Sequence, residues 1–170
     1  MAADDSRTDV LLASWAATPA FARDRYLTIR AANFLAHALS PAFQPGVNLL
    51  RHVFLTDEPA PSAQSDARSL LMAILVALLR DSLQEHEEDE VFVDLVGELA
   101  ACSHEFAALW SRSDLPLRHH ATVLFPDTRV GELRMTYQEL RMPLESGEVI
   151  VVWRPADARS AAACDRLLSR

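Results

Sequence analysis

Residues 117–140, LRHHATVLFPDTRVGELRMTYQEL, contain two consecutive segments in which every second side chain is largely apolar. In the first segment one set of alternate positions holds Leu117, His119, Ala121, Val123 and Phe125, and in the second it holds Leu133, Met135 and Tyr137. A period of two places those side chains on one face of a β-strand. The intervening Pro126-Asp127 predicts a turn. The stretch therefore predicts two antiparallel strands that each bury one face.

Working outward, the sequence predicts three more strands. VIVVW at 149–153 is apolar on both faces, which is typical of a central strand. Upstream, Ala20–Ala22 and the alternating segment Tyr26–Ala32 flank Asp24-Arg25 and read as a β-hairpin. A hairpin, a long insert and a three-stranded meander are the layout of a five-stranded, PAS-like antiparallel sheet.

The insert and both ends of the sequence carry helical periodicity. A first helix is expected at Thr8–Trp15 with Thr8 or Asp9 as its cap, and a last helix from Asp157 to Leu168. The longest, Asp66–Leu83, is apolar nearly all round, which predicts a central or shared helix. Further caps are expected at Asn33, Asn48 and Ser103. The predicted fold is α+β, with helices packed on one face of the sheet and flanking N- and C-terminal helices.

Composition sets limits on function. The chain has 170 residues, half of them apolar, and a formal net charge of −8, which fits one soluble domain spanning 1–170. This charge argues against a nucleic-acid surface. The longest apolar run, Leu70–Leu79, is too short to cross a membrane, and the acidic start Met1–Asp5 is unlike a signal peptide. A cytoplasmic protein is expected.

No catalytic or metal-ligating constellation stands out. His119 and His120 are adjacent in a predicted strand, so they face opposite ways and cannot share a metal. Cys102 and His104 lack a second ligand pair, and no serine has the surroundings of a nucleophile. The prediction is a protein that is not an enzyme and that uses no cofactor and no metal.

Three polar residues at helix starts have two interpretations each. Asn33 and Asn48 are either N-caps or polar contacts to a ligand. Arg51 follows Asn48 by three residues, on the same side of an apolar helix. Its guanidinium either forms a structural ion pair, with Asp57, Glu98 or the acidic connector 84–90, or anchors a ligand carboxylate.

Four segments, in this order, resemble one known family. They are RYLTIRAAN (25–33), NLLRHVFL (48–55), LVGELAACSHEFAALW (95–110) and VGELRMTYQEL (130–140). The chain resembles, over roughly residues 10–168, the ligand-binding domain of MmyB-like transcription regulators, a branch of the XRE helix-turn-helix proteins. The resemblance implies a PAS-like fold, a homodimer, and an effector-sensing role for a fatty-acid-like ligand in a bacterial regulator.

The sequence departs from the family in three places. No helix-turn-helix is expected here, because only about nine residues precede Val10. Ala32 replaces the family's aromatic residue before the Asn at the strand end, which is expected to enlarge the pocket. Ser103-His104-Glu105-Phe106 replaces the family's Ser-Pro-Glu-Phe. We therefore expect no direct DNA binding by this chain alone.

Two functions remain open from the sequence. The first is a sensor whose pocket between sheet and helices binds a lipophilic small molecule. Its polar contacts would be Arg51, Asn48 and Asn33, and its apolar lining Phe34, Phe54, Leu75 and Tyr137, with Leu35, Phe43, Leu50 and Leu79. The second is a dimerisation or protein-interaction module whose pocket is filled by side chains. The apolar faces of the helices beginning at Asp66 and Asp157 are the dimer surfaces expected from the sequence.

Overall fold

The computed structural model describes residues 2–56, 62–84, 88–141 and 147–168. The chain divides into two compact units. One, the sheet unit, comprises Met1–Asp24, Thr28–Val47 and His119–Arg170. The other, the helical unit, comprises Arg25–Leu27 and Asn48–Arg118. No helix among the described residues combines the length and hydropathy needed to span a membrane.

The sheet unit contains five antiparallel strands in the spatial order β2-β1-β5-β4-β3. Their bounds are β1 Ala20–Arg23, β2 Ile29–Ala32, β3 His120–Thr128, β4 Gly131–Arg141 and β5 Val149–Pro155. The predicted α+β fold with a five-stranded antiparallel sheet is confirmed. β5, the strand that is apolar on both faces, lies at the centre as predicted.

In the described part of the chain, seven α-helices accompany the sheet. In the sheet unit they are α1 Ala2–Ser14, α2 Phe34–Leu39 and α7 Ala158–Leu168, with a 3-10 helix at Pro41–Phe43. In the helical unit they are α3 Leu49–Leu55, α4 Ser62–Gln84, α5 Glu90–Cys102 and α6 His104–Trp110. The predicted caps Asn33, Asn48, Ser103 and Asp157 each accept backbone N–H bonds at the start of a helix.

The two faces of the sheet have different neighbours inside the sheet unit. On one face, Leu12 of α1 packs against Ala20, Ala22, Ala31 and Ile150. The strand register places Phe21, Tyr137 and Trp153 on the opposite face, which we call the aromatic face. Here α7 packs, with Cys164 Sγ 3.7 Å from Met135 Sδ. The small side chains of β1 and β2 let α1 lie close to the sheet.

Several predicted boundaries are wrong, among them the start of β2, which lies at Ile29 and not at Tyr26, and the start of β3, which lies at His120 and not at Leu117. Pro126-Asp127 does not turn the chain: β3 continues to Thr128, and an irregular pairing between Phe125 and Thr128 accommodates the proline. The turn comes instead at residues 129–130, before Gly131 at φ +93°. α1 begins at Ala2, so neither Thr8 nor Asp9 is its cap, and α4 begins at Ser62. Residues 57–61, 85–87 and 142–146, including Asp57 and three of the seven residues of the acidic connector, lie outside the described residues.

Candidate functional site

Five aromatic rings meet in the sheet unit. The Trp153 ring centroid lies 5.5 Å from that of Phe43, 5.1 Å from Phe125 and 5.4 Å from Tyr137, and Phe43 lies 4.6 Å from Phe21. We call these five residues the aromatic cluster. All except Phe125 are buried. Tilted and edge-on ring contacts of this kind add to the free energy gained by burial.

Trp153, whose ring contacts three others of this cluster, carries a buried polar atom without a partner among the described residues. Its indole Nε1–H is buried and has no hydrogen-bond partner among the described residues. Leaving a buried donor unpaired costs about 1–3 kcal/mol, so the position is unusual in a folded protein. The side chain is 5% exposed, and the atom is shielded from water.

A buried ionic network lies on the same face of the sheet. The Arg23 guanidinium binds Glu139 through Nε, 3.2 Å from Oε1, and through Nη2 to the same oxygen. Nη1 donates to the Asp24 carbonyl at 3.1 Å. Glu139 Oε2 lies 2.9 Å from His119 Nδ1. Because the Arg23 and Glu139 side chains are 4% and 2% exposed, the carboxylate depends on these partners for compensation.

The predicted site residue Tyr137 belongs to the aromatic cluster, but Asn33 is fully occupied elsewhere. Asn33 Oδ1 accepts from Ala20 N at 3.1 Å and Ala36 N at 3.0 Å, and Nδ2 donates to Trp15 O at 3.1 Å and Thr18 O at 2.8 Å. An Asn carboxamide has no more groups than these to offer in good geometry. The contacts fit the N-cap interpretation and tie α1, β1 and α2 together.

Phe34, another predicted site residue, lies on the surface with 62% of its area exposed. It borders an open groove of about 360 Å³ between α1 and the start of α2, with Asp9 as its one acidic side chain. Its lining is mostly apolar: Leu12, Ala13, Trp15, Ala16, Ala32 and Leu35. Ala32, expected to enlarge a pocket, therefore lines this surface groove.

In the helical unit, Asn48 and Arg51 lie together at the start of α3. Asn48 Oδ1 accepts from Leu50 N and Arg51 N, both at 3.1 Å, and Nδ2 donates to Tyr26 O at 2.7 Å. The side chain thus caps α3 and fastens it to the turn at residues 25–27. This geometry fits the capping interpretation of Asn48.

Arg51 binds Glu98, one of the partners expected from the sequence. Nε lies 3.1 and 3.0 Å from the two carboxylate oxygens, and Nη2 lies 2.6 Å from Oε2. The hydrogen bonds to Arg51 hold the pKa of Glu98 below its usual value, and those to Glu98 raise the pKa of Arg51. The side chains are 50% and 39% exposed, so the pair is worth only about 0–1 kcal/mol.

The two apolar site residues of the helical unit are buried. Phe54 packs edge-on against Phe106 at 5.2 Å, and Leu75 is a core residue of α4. α4 is buried along most of its circumference from Met72 to Leu79, as predicted for a helix that is apolar nearly all round. In α7, Ala163 and Leu167 are buried too. Both faces proposed from the sequence for dimerisation are therefore already covered.

Metal-binding side chains do not gather anywhere in the described part of the chain. His119 binds Glu139, while His120 pairs with Gln138 in the sheet. Cys102 and Cys164 are free thiols, and burial raises the pKa of the Cys164 thiol. We find no arrangement here that points to metal chemistry.

The sequence did not predict the Arg23–Glu139 pair or the unpaired indole N–H of Trp153. Arg23 lies three residues before the hairpin's predicted second strand, and Glu139 is an alternate, inward position of β4. An acidic residue at an inward position signals a buried partner. The partner is 116 residues away, so only the strand order β1-β5-β4 identifies it.

Two comparisons with known proteins bear on this geometry. A family model described as the MmyB-like transcription regulator ligand binding domain matches residues 5–167. No curated protein matches the chain. The family match covers nearly the whole chain and agrees with the four segments identified from the sequence.

Proposed function

The chain belongs to the family of MmyB-like transcription regulator ligand-binding domains, and from this premise we propose that it senses a lipophilic, fatty-acid-like effector bound against its aromatic face. A domain of this family is a ligand-binding part of a transcription regulator. We propose that it acts as a sensor and not as an enzyme. The net charge of −8 further favours a domain that does not itself read DNA.

The aromatic cluster is the observation that supports a lipophilic effector. Five rings lie on or against one sheet face and form an apolar cluster in which only Phe125 is partly exposed. Burying an alkyl chain on such a surface gains about 0.8 kcal/mol per CH₂. A chain of ten or more carbons thus binds tightly before any polar contact is counted.

We propose separately, within the helical unit alone, that Arg51 anchors a ligand carboxylate. Its present partner, Glu98, is a carboxylate held in a half-exposed pair. Exchanging one carboxylate for another costs little, because the existing pair is screened by solvent. Asn48 and Asn33 contribute to the fold through their caps, and the structure gives no contact that favours them as ligand groups.

We also propose a homodimer, formed through the groove beside Phe34. Phe34 is 62% exposed and adjoins an apolar groove large enough to take an aromatic side chain. A two-fold dimer uses the same patch on both copies, so a protruding ring next to a groove is self-complementary. Should no effector bind, this surface favours the second candidate function, a dimerisation or protein-interaction module.

Blocking the aromatic face tests the sensor function. Ala121 faces Tyr137 across the strands, on the aromatic face, while the adjacent Thr122 is exposed on the opposite face. We expect Ala121→Leu to weaken dodecanoic acid binding at least tenfold and Thr122→Leu to leave it unchanged. Titration calorimetry of the full chain measures both, with circular dichroism as a check of folding.

Native mass spectrometry of the purified chain completes the test. Co-purified lipophilic mass in the parent and in Thr122→Leu, but not in Ala121→Leu, supports the sensor. If neither dodecanoic acid nor its methyl ester binds the parent and no ligand co-purifies, the interaction module takes its place. A gel shift with clear sequence preference at physiological salt would contradict the expectation that the chain does not read DNA.

A further inference from the structure

We propose that Trp153 is a specificity-determining residue, whose indole Nε1–H donates a hydrogen bond to an uncharged carbonyl oxygen of the effector. This inference rests on the proposed function, since it assigns a polar group to a ligand on the aromatic face. The observation behind it is the buried Nε1–H without a partner among the described residues.

This donor is an exception among the buried polar side chains of the described residues. Thr8 donates to Glu148, Arg23 binds Glu139, and Ser160 accepts from Arg134 N. The fold thus satisfies its buried polar side chains at both ends of the sheet unit. An unpaired N–H on a ring of the aromatic cluster calls for an acceptor that the described residues do not supply.

Water is a poor candidate for that acceptor. Nε1 is buried, and the indole ring that carries it lies within 5.5 Å, between ring centroids, of Phe43, Phe125 and Tyr137. A bound water needs two or more polar partners, which rings do not provide. A lipophilic ligand that contains an oxygen atom supplies an acceptor itself. Its alkyl chain replaces contacts between the aromatic rings. Phe125, the least buried ring of the cluster, is the one we expect to move.

The charge of the acceptor follows from the surroundings. An indole N–H donates only, so the ligand atom must accept. Two basic side chains of the same face, Arg23 and His119, already bind Glu139. A carboxylate next to Trp153 would therefore be buried without a cation, which is far more costly than a neutral carbonyl. The oxygen is uncharged and is distinct from any terminal carboxylate.

The test compares 2-undecanone with undecane, two probes that differ in one carbonyl group. In ¹H–¹⁵N spectra of the full chain, Trp15, Trp110 and Trp153 give three indole resonances. We expect 2-undecanone to move the Trp153 resonance downfield, undecane to leave its hydrogen bonding unchanged, and Trp15 and Trp110 to serve as internal controls. Trp153→Phe assigns the resonance and is expected to remove about a tenfold preference for the ketone.

The outcomes separate this inference from the proposed function. If both probes bind equally and the Trp153 resonance does not move downfield with the ketone, the sensor function stands and the role of Trp153 is refuted. If neither probe binds the parent, the role of Trp153 is refuted, and binding of dodecanoic acid and its methyl ester decides the proposed function. The spectra of the parent alone decide the question if Trp153→Phe fails to fold.

Discussion

The guanidinium of Arg23 on β1 and the carboxylate of Glu139 on β4 form an ion pair across the central strand of the sheet, with both side chains almost fully excluded from solvent. His119 adds a second contact to the same carboxylate. A buried pair of this kind adds little stability compared with apolar residues, but breaking it leaves a charge without compensation.

Removal of Arg23 alone is therefore expected to be far more damaging than removal of both charges. We predict that Arg23→Met lowers the free energy of unfolding by about 3–5 kcal/mol. The double variant Arg23→Met/Glu139→Leu should recover most of that loss. Urea denaturation followed by circular dichroism measures all three proteins. A double variant no more stable than the single one would contradict the account.

Asp157 predicts a pH dependence at the start of α7. Hydrogen bonds from Ser160, with its N–H 2.7 Å from Oδ1, hold the pKa of Asp157 below the ordinary value of 3.8. A carboxyl group with a lowered pKa stabilises the fold above its unfolded-state pKa, and this contribution is lost as the pH falls through the folded-state value.

The variant Asp157→Asn keeps a capping oxygen without the charge. We expect the unfolding midpoints of parent and variant to differ by a constant amount above pH 5. At pH values under about 3.8, we expect the midpoint of the parent to decrease relative to that of the variant. Thermal unfolding midpoints across pH 2.5–7 test this. Parallel curves for the two proteins would show that the carboxylate of Asp157 does not contribute.

The sequence predicts the elements of this fold better than their boundaries. Period-two alternation locates β3 and β4, and the doubly apolar VIVVW segment gives the central strand. Pro126 led to a wrong prediction of a turn. Proline is common in turns, but it is also tolerated at an irregularity within a strand, as in β3. The start of α1 is missed because its first residues have no apolar periodicity to distinguish them from a tail.

The candidate site is less predictable for a physical reason. Asn33 and Asn48 are recognisable as caps, because capping is local and depends on residues three positions away. The environment of Trp153 is not local: its neighbours Phe43, Phe125 and Tyr137 come from three separate segments. Whether a buried indole finds an acceptor depends on side-chain packing, which periodicity does not encode.

Phe34 is expected to control the oligomeric state. We predict that Phe34→Arg raises the dimer dissociation constant at least thirtyfold, because an exposed ring that fills a partner's groove is typical of an interface hot spot. Val93→Arg is the matched control, since Val93 is 64% exposed and lies in α5, outside the groove. Light scattering at micromolar concentrations gives the masses. A parent that is monomeric throughout, or a dimer unaffected by Phe34→Arg, would rule out this interface.

Arg51 and Glu98 together test how an anionic effector is held. If a ligand carboxylate replaces Glu98 on the guanidinium, Arg51→Ala should weaken dodecanoic acid about fivefold and leave methyl dodecanoate unchanged, because only the acid loses an ion pair. Glu98→Gln removes the competing charge, so it should strengthen binding of the acid without affecting the ester. The two substitutions should thus change the affinity for the acid in opposite directions. A general loss of stability would lower the affinity in both variants.

Titration calorimetry of both ligands with the parent and the two variants measures these effects, and added salt should reduce them, since the pair is half-exposed. Equal losses for acid and ester in Arg51→Ala would mean that Arg51 serves only to join α3 to α5 through Glu98. The carboxylate anchor would then be wrong, while binding of the ester would still support a lipophilic effector.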